Sequence, residues 1–122
     1  MPARMFLVLA TLAAGLAAAP ARAADQPLGQ AEVKQLVGGK TLMVEFIDPM
    51  RLELANDGKV QALGTASAIR AIGTWSIDAQ GRLCIKSPNP VLAGCRAMMR
   101  GERGLGMTKT DGTGFFLVSE IR

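Results

Sequence analysis

From residue 41 onward, apolar and polar positions alternate with period two, the pattern of strands that bury one face. Leu42, Val44 and Phe46 alternate with Met43, Glu45 and Ile47 until Asp48-Pro49 breaks the run. Arg51-Leu52-Glu53-Leu54 sets its charges on one side and its leucines on the other. Asn56-Asp57-Gly58 is a strong hairpin signal, and residues 59–63 return from it. Residues 64–71 are small and poorly patterned, which predicts a loop into a central strand at 72–77. There Trp75 and Ile77 share one face, Asp78-Ala79-Gln80-Gly81 turns the chain, and Leu83 to Lys86 runs back. Ser87-Pro88-Asn89-Pro90 interrupts the ladder, because each proline lacks a backbone donor. Residues 95–100 read as the next strand, Gly101-Glu102-Arg103-Gly104 turns it, and residues 105–109 return. Thr110-Asp111-Gly112 turns again into the last and most apolar strand, residues 115–118.

Ahead of these strands the period lengthens. Within residues 29–37, Val33, Leu36 and Val37 stand at helical spacing while Gln30, Lys34 and Gln35 fall on the opposite side. Gly38-Gly39 ends the helix, since glycine adopts the left-handed C-terminal conformation without steric cost. A helix this short is marginal by itself in water, so it must lie on the sheet. One helix and about eight short strands joined by tight turns predict a mainly β (α+β) fold. We expect an antiparallel β-meander, a half-open or closed small barrel with the helix packed on it.

The N-terminus has a different character. Arg4 precedes an apolar run over residues 5–19, and Ala21-Arg22-Ala23 places small residues at the two positions a signal peptidase reads. This is the pattern of a secretory signal, with a core too short and alanine-rich for a membrane anchor. Residues 1–23 are therefore expected to be cleaved near Ala23, giving a periplasmic or secreted protein with no transmembrane segment. A lead-in over 24–28 and a single domain over 29–122 remain. Cleavage removes two of the fourteen basic residues and no acid, leaving twelve against ten and a net charge of +2 in place of +4. That weak charge, the few aromatics and the compartment argue against nucleic acid as a partner.

Cys84 and Cys95 are the only cysteines. In an oxidising compartment an even pair of this kind forms a structural disulfide, here joining the return strand to the next one. The pair lacks the C-x-x-C spacing of redox or metal sites. Trp75, the sole tryptophan, is expected to anchor the core.

Catalytic chemistry finds little support. No histidine is present, which removes the commonest general base and the commonest zinc or copper ligand. The aspartates Asp48, Asp57, Asp78 and Asp111 stand in turns, where such residues bond the local backbone. Gly101-Glu102-Arg103-Gly104-Leu105-Gly106 lacks the order of a phosphate-binding fingerprint. Met43, Met50, Met98, Met99 and Met107 include no M-x-M spacing for cuprous ion and read as core filling. No cofactor and no metal are expected.

Between residues 82 and 109 stand Arg82, Lys86, Arg96, Arg100, Arg103 and Lys109, opposed only by Glu102. Placing Cys84 opposite Cys95 sets Arg96 opposite Leu83, so Arg82 and Lys86 share the cysteines' face while Arg96 and Arg100 point to the other. An anionic partner would then be met at the strand ends, by Arg100 and Arg103.

The chain resembles small exported bacterial domains of unknown function. The resemblance rests on the signal peptide, the short helix with its Gly-rich end (residues 32–40), Asn56-Asp57-Gly58, Gly73-Thr74-Trp75 and Gly81-Arg82-Leu83-Cys84 with a second cysteine beyond. It implies a half-open antiparallel sheet or small barrel and no established activity. At the level of architecture the chain also resembles periplasmic inhibitors of host lysozymes, which are compact disulfide-bonded β-barrels. The expected function is that of a non-catalytic exported domain that binds an envelope protein or an anionic envelope component. A lysozyme-inhibitor-like protein that binds a secreted hydrolase, and a hydrolase, stand as alternatives.

Overall fold

The structure, a computed structural model, describes residues 25–64 and 70–122. The secretory signal expected at 1–23 and most of the loop expected at 64–71 lie outside the described residues. Eleven elements follow in chain order: β1 (Gln26–Pro27), α1 (Gln30–Val37), β2 (Thr41–Val44), β3 (Met50–Leu54), β4 (Lys59–Gly64), β5 (Arg70–Ile77), β6 (Leu83–Lys86), β7 (Gly94–Arg96), β8 (Met98–Gly101), β9 (Gly104–Met107) and β10 (Phe116–Ile121). The ten strands make one antiparallel sheet in the order β1-β8-β9-β10-β2-β3-β4-β5-β6-β7. This sheet curls into a half-barrel.

Two connections produce that order. From β2 to β7 the chain is a plain meander, each strand pairing with the next. The C-terminal strand β10 then pairs back onto β2, with Val118 opposite Val44 and Ile121 opposite Leu42. That places the β8–β9–β10 set on the free side of β2. Because β7 and β8 are separated only by Ala97, the chain steps from one edge of the sheet to the opposite wing at that residue. Thr108 holds the corner: its N–H donates to the Ala97 carbonyl (3.0 Å), and its Oγ1 accepts the Ala97 N–H (3.1 Å). The expected single strand over residues 95–100 is thus two strands that serve opposite parts of the sheet.

Period-two alternation maps onto the inner and outer faces. On β3, Met50, Leu52 and Leu54 are buried while Arg51 and Glu53 face out and form an ion pair (3.3 Å). Leu42, Val44, Leu83 and Met107 add fully buried side chains from three further strands. Each fully buried side chain of this size contributes about 1.5–3 kcal/mol. Of the five methionines expected to fill the core, Met50, Met98 and Met107 do so, while Met43 and Met99 are only partly buried.

Helix α1 lies across one end. It buries Val33 and Val37 completely. Its N-terminal end meets the turn between β5 and β6, where the Gln30 amide donates to the Ile77 carbonyl (3.3 Å). Gly81 at φ +82° comes so close to the Leu28 carbonyl that a Cβ there would overlap it. The helix ends as the sequence predicts, with the Gly38 N–H donating to the Lys34 carbonyl and Gly39 in the left-handed region at φ +70°.

The described part of the lead-in is more ordered than expected. Gln26 and Pro27 form the edge strand β1 against Arg100 and Met99, and the Leu28 N–H donates to the Met98 carbonyl. Proline suits that position, because an edge strand leaves one row of donors unused. Burial of Leu28 supplies the driving force.

Candidate functional site

With α1 and the turns at 55–58 and 78–82 gathered at one end, the described residues leave a mouth at the other end of the half-barrel. A cavity of about 380 Å³ occupies this mouth. Its floor is apolar: Met50 and Leu52 of β3, Ile85 of β6, Met107 of β9 and Phe116 of β10. Phe46 stands beyond β2 and packs edge-to-face on Phe116, with ring centroids 5.1 Å apart. Volume and lining match those of ordinary small-molecule sites, which are mostly apolar with a few placed polar groups.

One wall is the connection between β6 and β7. Ser87 Oγ donates to the Ile72 carbonyl (2.7 Å) and accepts the Asn89 N–H, while the Asn89 side chain accepts the Val91 N–H. The Asn89 carbonyl accepts the N–H groups of Leu92 and Ala93. The prolines thus sit in a braced turn that points Leu92 inward and leaves Val91 exposed.

Arg96 enters the mouth from β7. Its backbone partner is Leu83, whose side chain is wholly buried, so register alone puts Arg96 on the inner face. Nη1 donates to the Leu92 carbonyl and Nη2 to the Val91 carbonyl, both at 2.9 Å. Burial pushes the guanidinium below its ordinary pKa, though an arginine stays cationic at any physiological pH. The ion pairs of the described residues lie elsewhere: Arg51–Glu53, Lys59–Asp57, Arg82–Asp78, Arg100–Glu32 and Arg122–Glu120. Lys109 and Asp48 also line the cavity, and Ile47 stands at its rim.

The site residues favoured by the sequence, Cys84, Cys95, Trp75, Arg100 and Arg103, fall outside this mouth, while Arg96 and Lys109 of the basic group line it. Cys84 and Cys95 are directly opposed on β6 and β7 and form a disulfide, in the register the cysteine spacing predicts. Asp78 lies beside them, its carboxylate accepting the backbone N–H groups of Arg82 (2.8 Å) and Gln80 (3.0 Å) and the Arg82 Nε (2.7 Å). One oxygen of Asp78 and the two sulfurs lie within 4.8 Å of one another. The sulfurs are spent on each other and the carboxylate on Arg82, so this cluster offers no ligand set for a metal.

Trp75 lies at the margin of the core rather than at its centre, half-buried beside the C-terminal end of α1. Its Nε1 donates to the Ala55 carbonyl (2.7 Å) and its backbone N–H to Gly58, so it ties the first hairpin turn to β5. Arg100 pairs with Glu32 of α1 at 3.3 Å, and the Arg103 guanidinium lies 5.8 Å from the Phe115 ring centroid. Both therefore stand toward the helix end or the β8–β9 turn, away from Arg96.

One signal for the mouth is legible in the sequence. The cysteine register already set Arg96 opposite Leu83, a cation on an apolar face.

The class the geometry defines is a curled antiparallel half-barrel with a single short helix and an apolar mouth. Comparison with protein-family models, with curated protein sequences and with solved structures finds no match to this chain.

Proposed function

We propose that the protein is an exported, non-catalytic binding domain whose site is the open mouth of the half-barrel. One observation carries this reading: an apolar cavity of about 380 Å³ remains at the end that α1 does not cover. Among its lining groups are two cations and one carboxylate, Arg96, Lys109 and Asp48, and one hydroxyl, Thr110, set around side chains that offer apolar surface. That is an arrangement for uptake rather than for bond-making. Export is supported by the leader pattern of residues 1–23 and by the Cys84–Cys95 disulfide, a bond that persists in oxidising compartments.

The test is methyl NMR of the protein with a neutral apolar probe, N-phenyl-1-naphthylamine. Shifts should concentrate on the methyls of Met50, Leu52, Ile85 and Met107. Absence of binding, or shifts scattered over the outer face, refutes the site. Mass spectrometry of the exported protein should find Ala24 at the N-terminus; a protein that retains residues 5–16 refutes the leader.

A further inference from the structure

Resting on the binding reading above, we infer that the mouth takes a single-chain carboxylate amphiphile, a fatty acid. Its chain lies over Met50, Leu52, Ile85 and Phe116, and its carboxylate meets Arg96.

Charge complementarity is the first argument. Arg96 stands among apolar side chains with no carboxylate partner among the described residues. A guanidinium offers five N–H donors. Two of them go to the carbonyls of Val91 and Leu92, and three remain. Carbonyls are neutral, so these bonds orient the group without cancelling its charge. A carboxylate is the planar anion that matches a guanidinium fork. Lys109 adds a second cation to the lining and Asp48 one anion, so the mouth stays net positive.

Pre-organisation is the second argument. The same two carbonyl bonds fix the guanidinium before any ligand arrives. A side chain already immobilised loses less entropy on binding. Arg96 therefore has two roles: it holds the wall at residues 91–92 and it presents its remaining donors.

The rim supplies a third, independent observation. Three large apolar side chains of the described residues are strongly exposed, and two of them, Ile47 (99 % exposed) and Val91 (68 %), border this mouth. Exposed apolar groups gathered at a cavity entrance mark a contact surface. They extend the apolar track outward along the path of an entering chain. The cavity holds roughly a dozen waters' worth of volume at about 30 Å³ each, enough for an acyl chain of moderate length and too little for a two-chain lipid.

Isothermal titration of the full mature protein with decanoate, decanol and decyltrimethylammonium tests this directly. Decanoate should bind roughly ten- to hundredfold more tightly than either of the others, the factor expected of a charge-assisted pair. Arg96→Gln should abolish that preference, so that decanoate and decanol bind the variant with equal affinity. Arg96→Lys should keep part of it, and Lys109→Gln should weaken decanoate only a few-fold. If Arg96→Gln does not fold, the three-ligand preference of the native protein still decides the matter. Equal binding of decanoate and decanol overturns the fatty-acid assignment while leaving the binding reading intact. Failure of all three ligands together with the neutral naphthylamine overturns both. Binding to phosphatidylglycerol vesicles that is lost in Ile47→Ser with Val91→Ser, without binding of monomeric decanoate, makes the mouth a membrane-docking rim and also overturns the inference.

Discussion

Thr108 is the one buried polar side chain among the described residues, 3 % exposed, and replacing it by valine isolates the bond that holds the corner. Its Oγ1 accepts the Ala97 N–H at 3.1 Å and donates to the Lys109 carbonyl at 2.7 Å. Valine preserves the shape and removes both contacts. The Lys109 carbonyl keeps a partner, the Gly112 N–H at 3.0 Å. The Ala97 N–H keeps none. One orphaned donor in a partly buried corner costs about 1–3 kcal/mol. In a domain of this size each kcal/mol lowers the melting temperature by about 4–8 °C. Thr108→Val should therefore melt about 10 °C below the native protein. Thr108→Ser is the control, since it keeps the hydroxyl and gives up one methyl, about 0.8 kcal/mol. Calorimetry should rank native above serine above valine. Amide exchange should show the Ala97 N–H losing protection in the valine variant before the strands of the meander do. A valine variant that melts at or above the serine variant refutes the role given to this bond, because water would then be serving the Ala97 donor.

Two other consequences follow from the same geometry. The Cys84–Cys95 bond closes a short loop between directly opposed strand positions; native protein should show no reactive thiol, and the Cys84→Ser, Cys95→Ser double variant should lose about 3 kcal/mol in denaturant titration, with an unchanged midpoint refuting the bond. The Arg82 backbone N–H, aided by the Arg82 side chain and the Gln80 N–H, holds the Asp78 carboxyl below its ordinary value of 3.8, and the Thr113 hydroxyl and N–H do the same for Asp111. A depressed folded-state pKa contributes stability above pH 4 that is lost as pH falls through the lower folded value, so Asp78→Asn with Asp111→Asn should flatten the acid limb of the stability profile and leave neutral pH as the place of largest loss; an unchanged acid limb refutes the assignment.

Much of the local architecture is legible in the chain itself because it depends on neighbours. Alternation at Leu42/Val44 and Leu52/Leu54 fixes which face is buried, and the turn residues Asn56-Asp57-Gly58 and Asp78 to Gly81 bond their own backbone. Gly38-Gly39 ends the helix for a reason contained in one residue's φ, and a single pair of cysteines on successive strands implies the Cys84–Cys95 register. Tertiary structure alone decided the rest. Nothing at Cys95-Arg96-Ala97-Met98 announces a break: no glycine or proline interrupts it, so a strand over 95–100 is the local expectation. The corner forms because Thr108 offers both a donor and an acceptor to Ala97 eleven residues away, and because β10 finds its partner in β2, more than seventy residues back. The edge strand β1 likewise exists only once β8 has been carried to that side. The mouth follows from these closures. Arg96 is an ordinary cation in sequence, and it becomes a group poised over an apolar cavity only when Phe46, Phe116, Met107 and the 87–93 wall are brought around it. Periodicity reports which side of a strand a residue occupies; what stands across the barrel from it is set by pairing between distant segments, and local pattern carries no record of that.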